Sequence, residues 1–483
     1  MMQFFHKVQE FCRQPRFYFM LLVMLTFPAI AQQIPVAIVD LLNKHHLAQE
    51  DVSVVVQNVR NTVPLVNLND TTLRAPASTA KLLTTAAGLI RMSADYRWQT
   101  EFYLDKLPDA NGVSQGNLYI KGGGDPFLVE EQLTQMLQAL RDQGLRHITG
   151  NIVLDMSLYQ LPPEERDAAA FDGHPLSAYN AIPNPLMVNF RTIKVQIVPQ
   201  GDRAVRLLLS PNIANWTIEN QLTISNKSCQ KNYAPNVALI REENGFARLQ
   251  VSGAYSTACG ACELTLALGE ASEQFYYLFY QIWHQLGGSF DGSGTIATVP
   301  KTAKIYYTGL SLPLAEQIQK MNQLSNNVMT RQLMLTLGAF AYGQPANLES
   351  GRRAVLETLR QFGVPLEHAI IDNGSGLSRQ TRVSAGDLAT LLFKMYHSEY
   401  ADTFISSLAV AGHSGTLKKR FRGEKLAGRI YGKTGTIDEV RSFAGYLLAE
   451  NGNTYIVVII TNGKTAAAGR PFQDDVFRWV DTQ

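Results

Sequence analysis

Three short groups of residues in this chain could do chemistry. Ser78-Thr79-Ala80-Lys81 sets a hydroxyl and an amine three positions apart, a spacing that puts both on one face of a helix. A serine hydroxyl is a poor nucleophile until a neighbouring base takes its proton, and a lysine with a lowered pKa can be that base. At a helix N-terminus the backbone N–H groups and the helix dipole would also favour developing negative charge. Ser325-Asn326-Asn327 offers a hydroxyl and an amide two positions apart, just before a helix expected from about Val328. By itself it also fits a helix N-cap. Lys433-Thr434-Gly435-Thr436 has the look of an edge strand whose glycine lets another backbone approach, a surface suited to an extended peptide with a carboxylate. Taken singly, each group has an ordinary explanation: Ser78 as a cap, Lys81 as a solvated charge, Lys433-Thr434-Gly435 as a polar strand start. A lysine in the first turn of an otherwise apolar helix is awkwardly placed for solvent, however, and that favours the chemical explanation.

These groups must be held by particular elements. The helix opened by Ala75-Pro76-Ala77-Ser78 is expected to run to about Met92, and Leu82, Leu83, Ala86, Ala87, Leu89 and Ile90 leave it no polar face. Such a helix belongs in the centre of a domain. Upstream, residues 35–45 suggest a short helix, and 51–60 and 63–69 suggest paired strands around a turn at Asn61-Thr62. From about Tyr96 to Leu268 the pattern changes to short β-like runs (116–121, 149–154, 187–198, 203–209, 247–254) joined by Gly-, Asn- and Pro-rich segments. Helical patterning returns at 271–286 and 313–337. Phe443–Ala449 and Thr454–Thr461 then flank Glu450-Asn451-Gly452-Asn453, a strong hairpin signal, before a last helix at 471–480. The expected architecture is one α/β (α+β) domain built from residues 32–95 and 269–483, interrupted after the nucleophile helix by a β-rich insertion, 96–268.

At 483 residues the chain is too long for one ordinary core. Its formal net charge of +2 comes from the first 31 residues, and no basic stripe suggests a nucleic-acid partner. Residues 1–31 have the form of a cleavable export signal. Basic residues end at Arg16, an apolar run follows from Phe17 to Leu25, and Ala29-Ile30-Ala31 offers a cleavage site that would make Gln32 the first mature residue. The apolar run is shorter than the ~20 residues a membrane-spanning helix needs. Export would leave Cys229, Cys259 and Cys262, and their clustering in an oxidising compartment predicts that Cys229 pairs with Cys259 or Cys262. No second C-x-x-C and no H-E-x-x-H supports a metal site, and no cofactor is expected.

In order along the chain, the three groups resemble the S-x-x-K, S-x-N, K-T-G signature of penicillin-recognising serine enzymes. Ser325 follows Ser78 at a distance far beyond what a compact β-lactamase needs, as the insertion would require. Gly122-Gly123-Gly124-Asp125-Pro126 looks like the G-G-G-D-P segment of class C low-molecular-mass penicillin-binding proteins. Asp372-Asn373-Gly374-Ser375-Gly376-Leu377-Ser378-Arg379 is similar to that family's D-G-S-G-L-S-R run with Asn373 as an extra residue, and Gly412-His413-Ser414-Gly415-Thr416-Leu417 resembles its G-x-D-G-T-L with Ser414 in place of Asp. The resemblance spans essentially the whole mature chain.

That resemblance implies a β-lactamase/transpeptidase-like fold and a serine D-alanyl-D-alanine carboxypeptidase with DD-endopeptidase activity. Ser78 would be acylated, with Lys81, helped by Ser325, as the base. Asn327 would orient Lys81 and the substrate amide. Lys433 and Thr434 would hold the terminal carboxylate, and the backbone N–H groups of Ser78 and Thr436 would form the oxyanion hole. Arg379 is expected to read a diamino-acid side chain. The implied partners are peptidoglycan stem peptides and, as covalent inhibitors, β-lactams. The implied place is the periplasm, with peripheral membrane association open. A serine β-lactamase and a non-catalytic peptidoglycan binder are the competing assignments. The first lacks an E-x-x-L-N segment here, and the second would not need an intact Ser78–Lys81 pair.

Overall fold

The computed structural model describes residues 34–483 except 226, 230–234, 244 and 245. The expected export signal therefore lies outside the described residues. Both ends of the chain meet in a six-stranded antiparallel sheet whose strands run in the order Ala409–Val410, Ile430–Ile437, Val440–Leu448, Thr454–Asn462, Val52–Asn58, Val66–Leu68. Its central strands are almost continuously apolar because both faces are covered. Side chains alternate across a strand. Ile456, Val458 and Ile460 face a core shared with the helices Lys81–Met92, Asn327–Tyr342 and Ala385–Tyr396. Their neighbours Tyr455, Val457 and Ile459 face a second core, closed by the helices Val36–Lys44 and Gly469–Val480. The turn between Val440–Leu448 and Thr454–Asn462 has Gly452 in the left-handed region, φ 83°, as its Asn-Gly sequence requires.

The segment after the helix Lys81–Met92 carries its own cores. A five-stranded sheet runs in the order Gly294–Ile296, Ile152–Asp155, Leu118–Lys121, Gln99–Leu104, Lys304–Leu310. Helices Glu130–Asp142 and Ala271–Gln285 bury Leu133, Leu137, Phe275 and Phe279 against its Phe102, Ile120 and Leu154. The change of texture near Leu268 thus does not coincide with the end of this sheet. Lys304–Leu310 pairs antiparallel with Gln99–Leu104, so residues 269–310, expected to belong with the surrounding domain, share hydrogen bonds and a core with the inserted one. The helix Glu130–Asp142 was absent from the expected β-rich pattern, although Leu133, Met136, Leu137 and Leu140 have helical spacing.

Two three-stranded sheets, built around Thr192–Pro199 and Ala247–Ser256, enclose a smaller core of Ile193, Val195, Leu249, Val251 and Tyr255. There Cys229 is bonded to Cys259 and Cys262 keeps a free thiol, which decides between the two expected pairings. Among the described residues no helix is long and apolar enough to cross a membrane.

Candidate active site

Ser78 sits in a tight 3-10 turn, Ala77–Ala80, that feeds directly into the buried helix Lys81–Met92. The turn is fixed from several sides. Ala77 adopts φ 46°, a left-handed conformation that costs a non-glycine residue roughly 1 kcal/mol or more. The Pro76 carbonyl accepts hydrogen bonds from Thr79 Oγ1 at 2.7 Å and Ser442 Oγ at 2.6 Å. The strand Ile430–Ile437 can lie against the turn only because position 435 is glycine: a Cβ there would come within 2.1 Å of Ser442 Oγ and 2.8 Å of the Pro76 carbonyl oxygen.

Lys81 is completely buried, and its Nζ has three partners: Ser78 Oγ at 2.9 Å, Asn327 Oδ1 at 2.6 Å and the Ser375 carbonyl at 2.6 Å. None carries a negative charge. Burial without a counter-ion, and then the neighbouring charge of Lys433, hold its pKa well below the ordinary lysine range. The loop that supplies the Ser375 carbonyl is shaped by Asn373, whose buried Oδ1 accepts from Ser375 N at 3.1 Å and Ser375 Oγ at 2.9 Å. Gly376 lets this loop press on the serine turn, since a Cβ there would lie 1.8 Å from the Ala77 carbonyl oxygen. Asn373, an extra residue against the family pattern, is therefore part of the support of Lys81.

The helical stretch expected over 313–337 is broken at the second motif. One helix ends at Leu324, Ser325 takes a left-handed conformation at φ 57°, and Asn326 caps the next helix by accepting from Met329 N at 3.0 Å. With Asn326 as the cap, the side chains of Ser325 and Asn327 are left for the site. Ser325 Oγ accepts from Lys433 Nζ at 2.9 Å, and the Thr434 carbonyl accepts from the same amine at 2.8 Å. Lys433 is also fully buried, and burial pushes its pKa down to about 7. Thr434 Oγ1 is 2.7 Å from Thr416 Oγ1. Thr416 lies in the Gly415–Leu417 turn, where Ser414 stands in for the family's Asp and its Oγ accepts from Val410 N at 3.1 Å.

The structure thus brings together Ser78, Lys81, Ser325, Asn327, Lys433, Thr434 and Thr436. Ser78, Ser325, Asn327, Thr436 and Arg379 line a cleft of about 580 Å³ whose far wall comes from the insertion through Phe171, Asp172, His174 and Tyr179. Arg379 is half exposed there, donating to the Asp438 carbonyl at 2.7 Å with the Asp438 carboxylate 3.5 Å away. Gly122-Gly123-Gly124-Asp125-Pro126 is not at the cleft. Its tight packing, with a Cβ at Gly123 falling 2.0 Å from the Gln99 carbonyl oxygen, and the buried Asp125–Gln317 contact at 2.8 Å make it a joint between inserted and surrounding parts. Two contributors had no distinctive side-chain signal: the Ser375 carbonyl, and Thr416 inside a segment notable for its glycine and leucine.

A serine hydroxyl held against a buried amine, beside a second buried lysine on an edge-facing strand, defines a serine acyl-transfer enzyme of the penicillin-recognising kind. Residues 35–483 match the D-Ala-D-Ala carboxypeptidase 3 (S13) family, and the chain belongs to it as a serine-type carboxypeptidase. It is 23% identical over 418 residues to D-alanyl-D-alanine carboxypeptidase DacB of Haemophilus influenzae, covering 86% of this chain and 85% of that protein. It is 27% identical over 421 residues to D-alanyl-D-alanine carboxypeptidase of Actinomadura sp. strain R39, covering 83% and 76% respectively. In fold it is similar to the crystal structure of penicillin binding protein 4 from Haemophilus influenzae, with TM-score 0.78 and 22% identity over 92% of this chain and 99% of that one. The peptidoglycan endopeptidase Bd3459 of Bdellovibrio bacteriovorus aligns at TM-score 0.52 and 14% identity over 89% and 92%.

Proposed function

We propose that Ser78 is the acylated nucleophile and Lys81 its base, in an enzyme that trims and cuts peptidoglycan stem peptides in the periplasm after loss of residues 1–31. The observation that carries this is the set of partners around Lys81 Nζ. A neutral lysine has two N–H donors and one lone pair. Asn327 Oδ1 and the Ser375 carbonyl, both acceptors, take the two donors, and the lone pair is left for the Ser78 hydroxyl. Ser78 Oγ attacks the carbonyl of the penultimate D-alanine while its proton passes to Lys81 Nζ. The backbone N–H groups of Ser78 and Thr436 receive the negative charge that develops on the carbonyl oxygen. The amide C–N bond then breaks, and the proton goes on to the leaving amine through Lys81 and Ser325. Lys433, Thr434 and Thr436 hold the carboxylate of the leaving residue, and Asn327 the amide on the acyl side. Water releases the acyl group. When the leaving amine is free D-alanine the result is carboxypeptidase action, and when it is the side chain of another stem peptide it is endopeptidase action.

The test is a brief treatment with penicillin followed by peptide mapping by mass spectrometry. The added mass should persist on the peptide that contains Ser78, because the ring-opened leaving amine stays tethered and blocks water. Rapid turnover without an adduct would indicate a β-lactamase, no reaction a non-catalytic binder, and an adduct on another serine a different site.

Arg379 is assigned to the acyl side, where its guanidinium, tethered on one edge by Asp438, has a free edge for a substrate carboxylate. Arg379→Ala should lower kcat/KM on a diaminopimelate-containing peptide at least tenfold more than on a diacyl-lysyl analogue. Equal losses would leave Arg379 only a bracing role on the loop at Asp438.

A further inference from the structure

The cleft continues past Ser78 in a second direction. A pocket of about 260 Å³ shares Ser78, Ser325 and Thr436 with the cleft and runs along Thr434 and Gly435 to a cluster of arginines, Arg420, Arg441 and Arg470. They come from three elements. Arg420 follows the Gly415–Leu417 turn, Arg441 lies on Val440–Leu448, and Arg470 is in the first turn of Gly469–Val480, a turn without an acidic residue. Gly469 lets the start of that helix approach the sheet closely, since a Cβ there would be 2.9 Å from Thr461 Oγ1 and 3.1 Å from Arg441 Cβ.

The positive charge at this place exceeds what the fold uses. Arg420 is paired with Asp474 at 2.5 Å and donates to Gln473 Oε1 at 3.2 Å. Arg441 donates through Nη1 to the carbonyls of Ile437, 3.0 Å, and Val440, 2.8 Å, which are neutral. Arg470 is exposed, and its side chain has no ion pair or hydrogen bond among the described residues. Three guanidiniums therefore meet one carboxylate. Gln473 is 2% exposed, and with its Oε1 turned to Arg420 its Nε2 is left without a partner, an unused donor at the pocket wall. Burial holds the Arg420 pKa below its ordinary range; Asp474 opposes this, and the charges of Arg470 and Arg478 add to it, so a further anion beside Arg470 would act in the same sense as Asp474.

We propose that this arginine-lined pocket is a subsite for a second anionic group on the leaving side of the scissile bond. The proposal rests on the assignment of Lys433, Thr434 and Thr436 to the leaving residue's own carboxylate, because the pocket extends from that position away from the insertion-walled lobe. A D-alanine leaving group has one carboxylate and a methyl group, and it supplies nothing for the arginines. A leaving stem peptide, which ends in a further carboxylate, does. The subsite would favour cutting cross-linked peptide over trimming terminal D-alanine.

Three substrates with one acyl part separate these ideas: acyl-D-alanyl-D-alanine, acyl-D-alanyl-D-2-aminopimelate, and the distal monoamide of the latter. The last two differ only in the distal charge. Wild type should cleave the aminopimelate substrate at least tenfold faster, by kcat/KM, than its monoamide. In Arg470→Gln, an exposed change that does not threaten the fold, and in Arg441→Gln, this ratio should fall towards 1, whereas Lys464→Gln, an exposed change outside the pocket, should preserve it. A wild-type ratio near 1, or a ratio unchanged in both arginine variants, overturns the subsite. Failure of the wild type to cleave even acyl-D-alanyl-D-alanine would instead overturn the underlying assignment of the site, so the two failures are distinguishable.

Discussion

Lys81→Met should slow acylation of Ser78 by penicillin about 10⁴-fold, the upper end of what a positioned proton acceptor contributes. The size follows from the lack of a substitute. Among the described residues, the only side chain hydrogen-bonded to Ser78 Oγ is Lys81. Lys433, the other amine of the site, is engaged with Ser325 and the Thr434 carbonyl. Methionine keeps most of the volume of the lysine stem, so the core around Lys81–Met92 should stay filled. Removing a buried amine relieves its desolvation, while Asn327 Oδ1 and the Ser375 carbonyl lose a donor at about 1–3 kcal/mol each. These effects oppose one another, and the thermal midpoint should move by only a few degrees. Stopped-flow acylation with a chromogenic cephalosporin, together with calorimetry, checks both halves. A loss below tenfold in a folded variant would remove Lys81 from its role as base. In the wild type the acylation rate should rise with pH as Lys81 loses its proton and reach its plateau well below the ordinary lysine range, because burial and the Lys433 charge both disfavour the protonated amine.

Much of this arrangement was legible from residue spacing, for reasons that also mark where legibility stops. The hairpin at Asn451-Gly452 and the helices at each end of the chain announce themselves through local turn chemistry and helical periodicity, and the structure has them at Val440–Leu448, Thr454–Asn462, Val36–Lys44 and Gly469–Val480. The apolar helix after Ser78 was expected to be central, and Leu82, Leu83, Ala86, Ala87 and Leu89 are buried. Non-local pairing was not legible. Nothing near Lys304–Leu310 says that its partner is Gln99–Leu104, two hundred residues back, so the inserted body was expected to end too early. The helix start after Ser325-Asn326-Asn327 was legible as a possible N-cap, but which residue caps was not: Asn326 takes that place, and Ser325 turns left-handed between Leu314–Leu324 and Asn327–Tyr342. A backbone carbonyl such as that of Ser375 has no residue type to announce it. The arginines of the second pocket stand at 420, 441 and 470 on three separate elements, and only the tertiary packing of those elements brings them to one pocket.

Lys433→Met is expected to cost about 10²-fold in kcat/KM on D-alanyl-D-alanine peptides, the worth of one hydrogen bond to a charged group. It should also leave a signature in pH that a structural lesion would not. In the free enzyme burial brings the Lys433 pKa to about 7, so this amine is charged on the acid side of neutrality and increasingly neutral above it. Its charge is the second cause, after burial, of the depressed pKa of Lys81. Without that charge the Lys81 pKa rises, and the acid limb of acylation should move to higher pH. A variant that had merely lost packing would lower the rate at every pH and leave the limb where it was. Stability should carry a matching sign. The unfolded lysine binds its proton up to about pH 10.4, whereas the native one releases it near 7, so between these values the unfolded chain holds the extra proton and wild-type stability rises with pH. The contribution is complete above about pH 10.4 and is lost as pH falls through about 7. Lys81 adds a slope of the same sign in both proteins, smaller in the variant because its pKa is less depressed there, so it widens the difference in the same direction. Denaturant unfolding of wild type and Lys433→Met at pH 7 and pH 10 should therefore show wild type gaining on the variant at the higher pH. Parallel changes in the two would mean that Lys433 keeps its proton in the native site, and would assign it to the substrate carboxylate as a permanent cation.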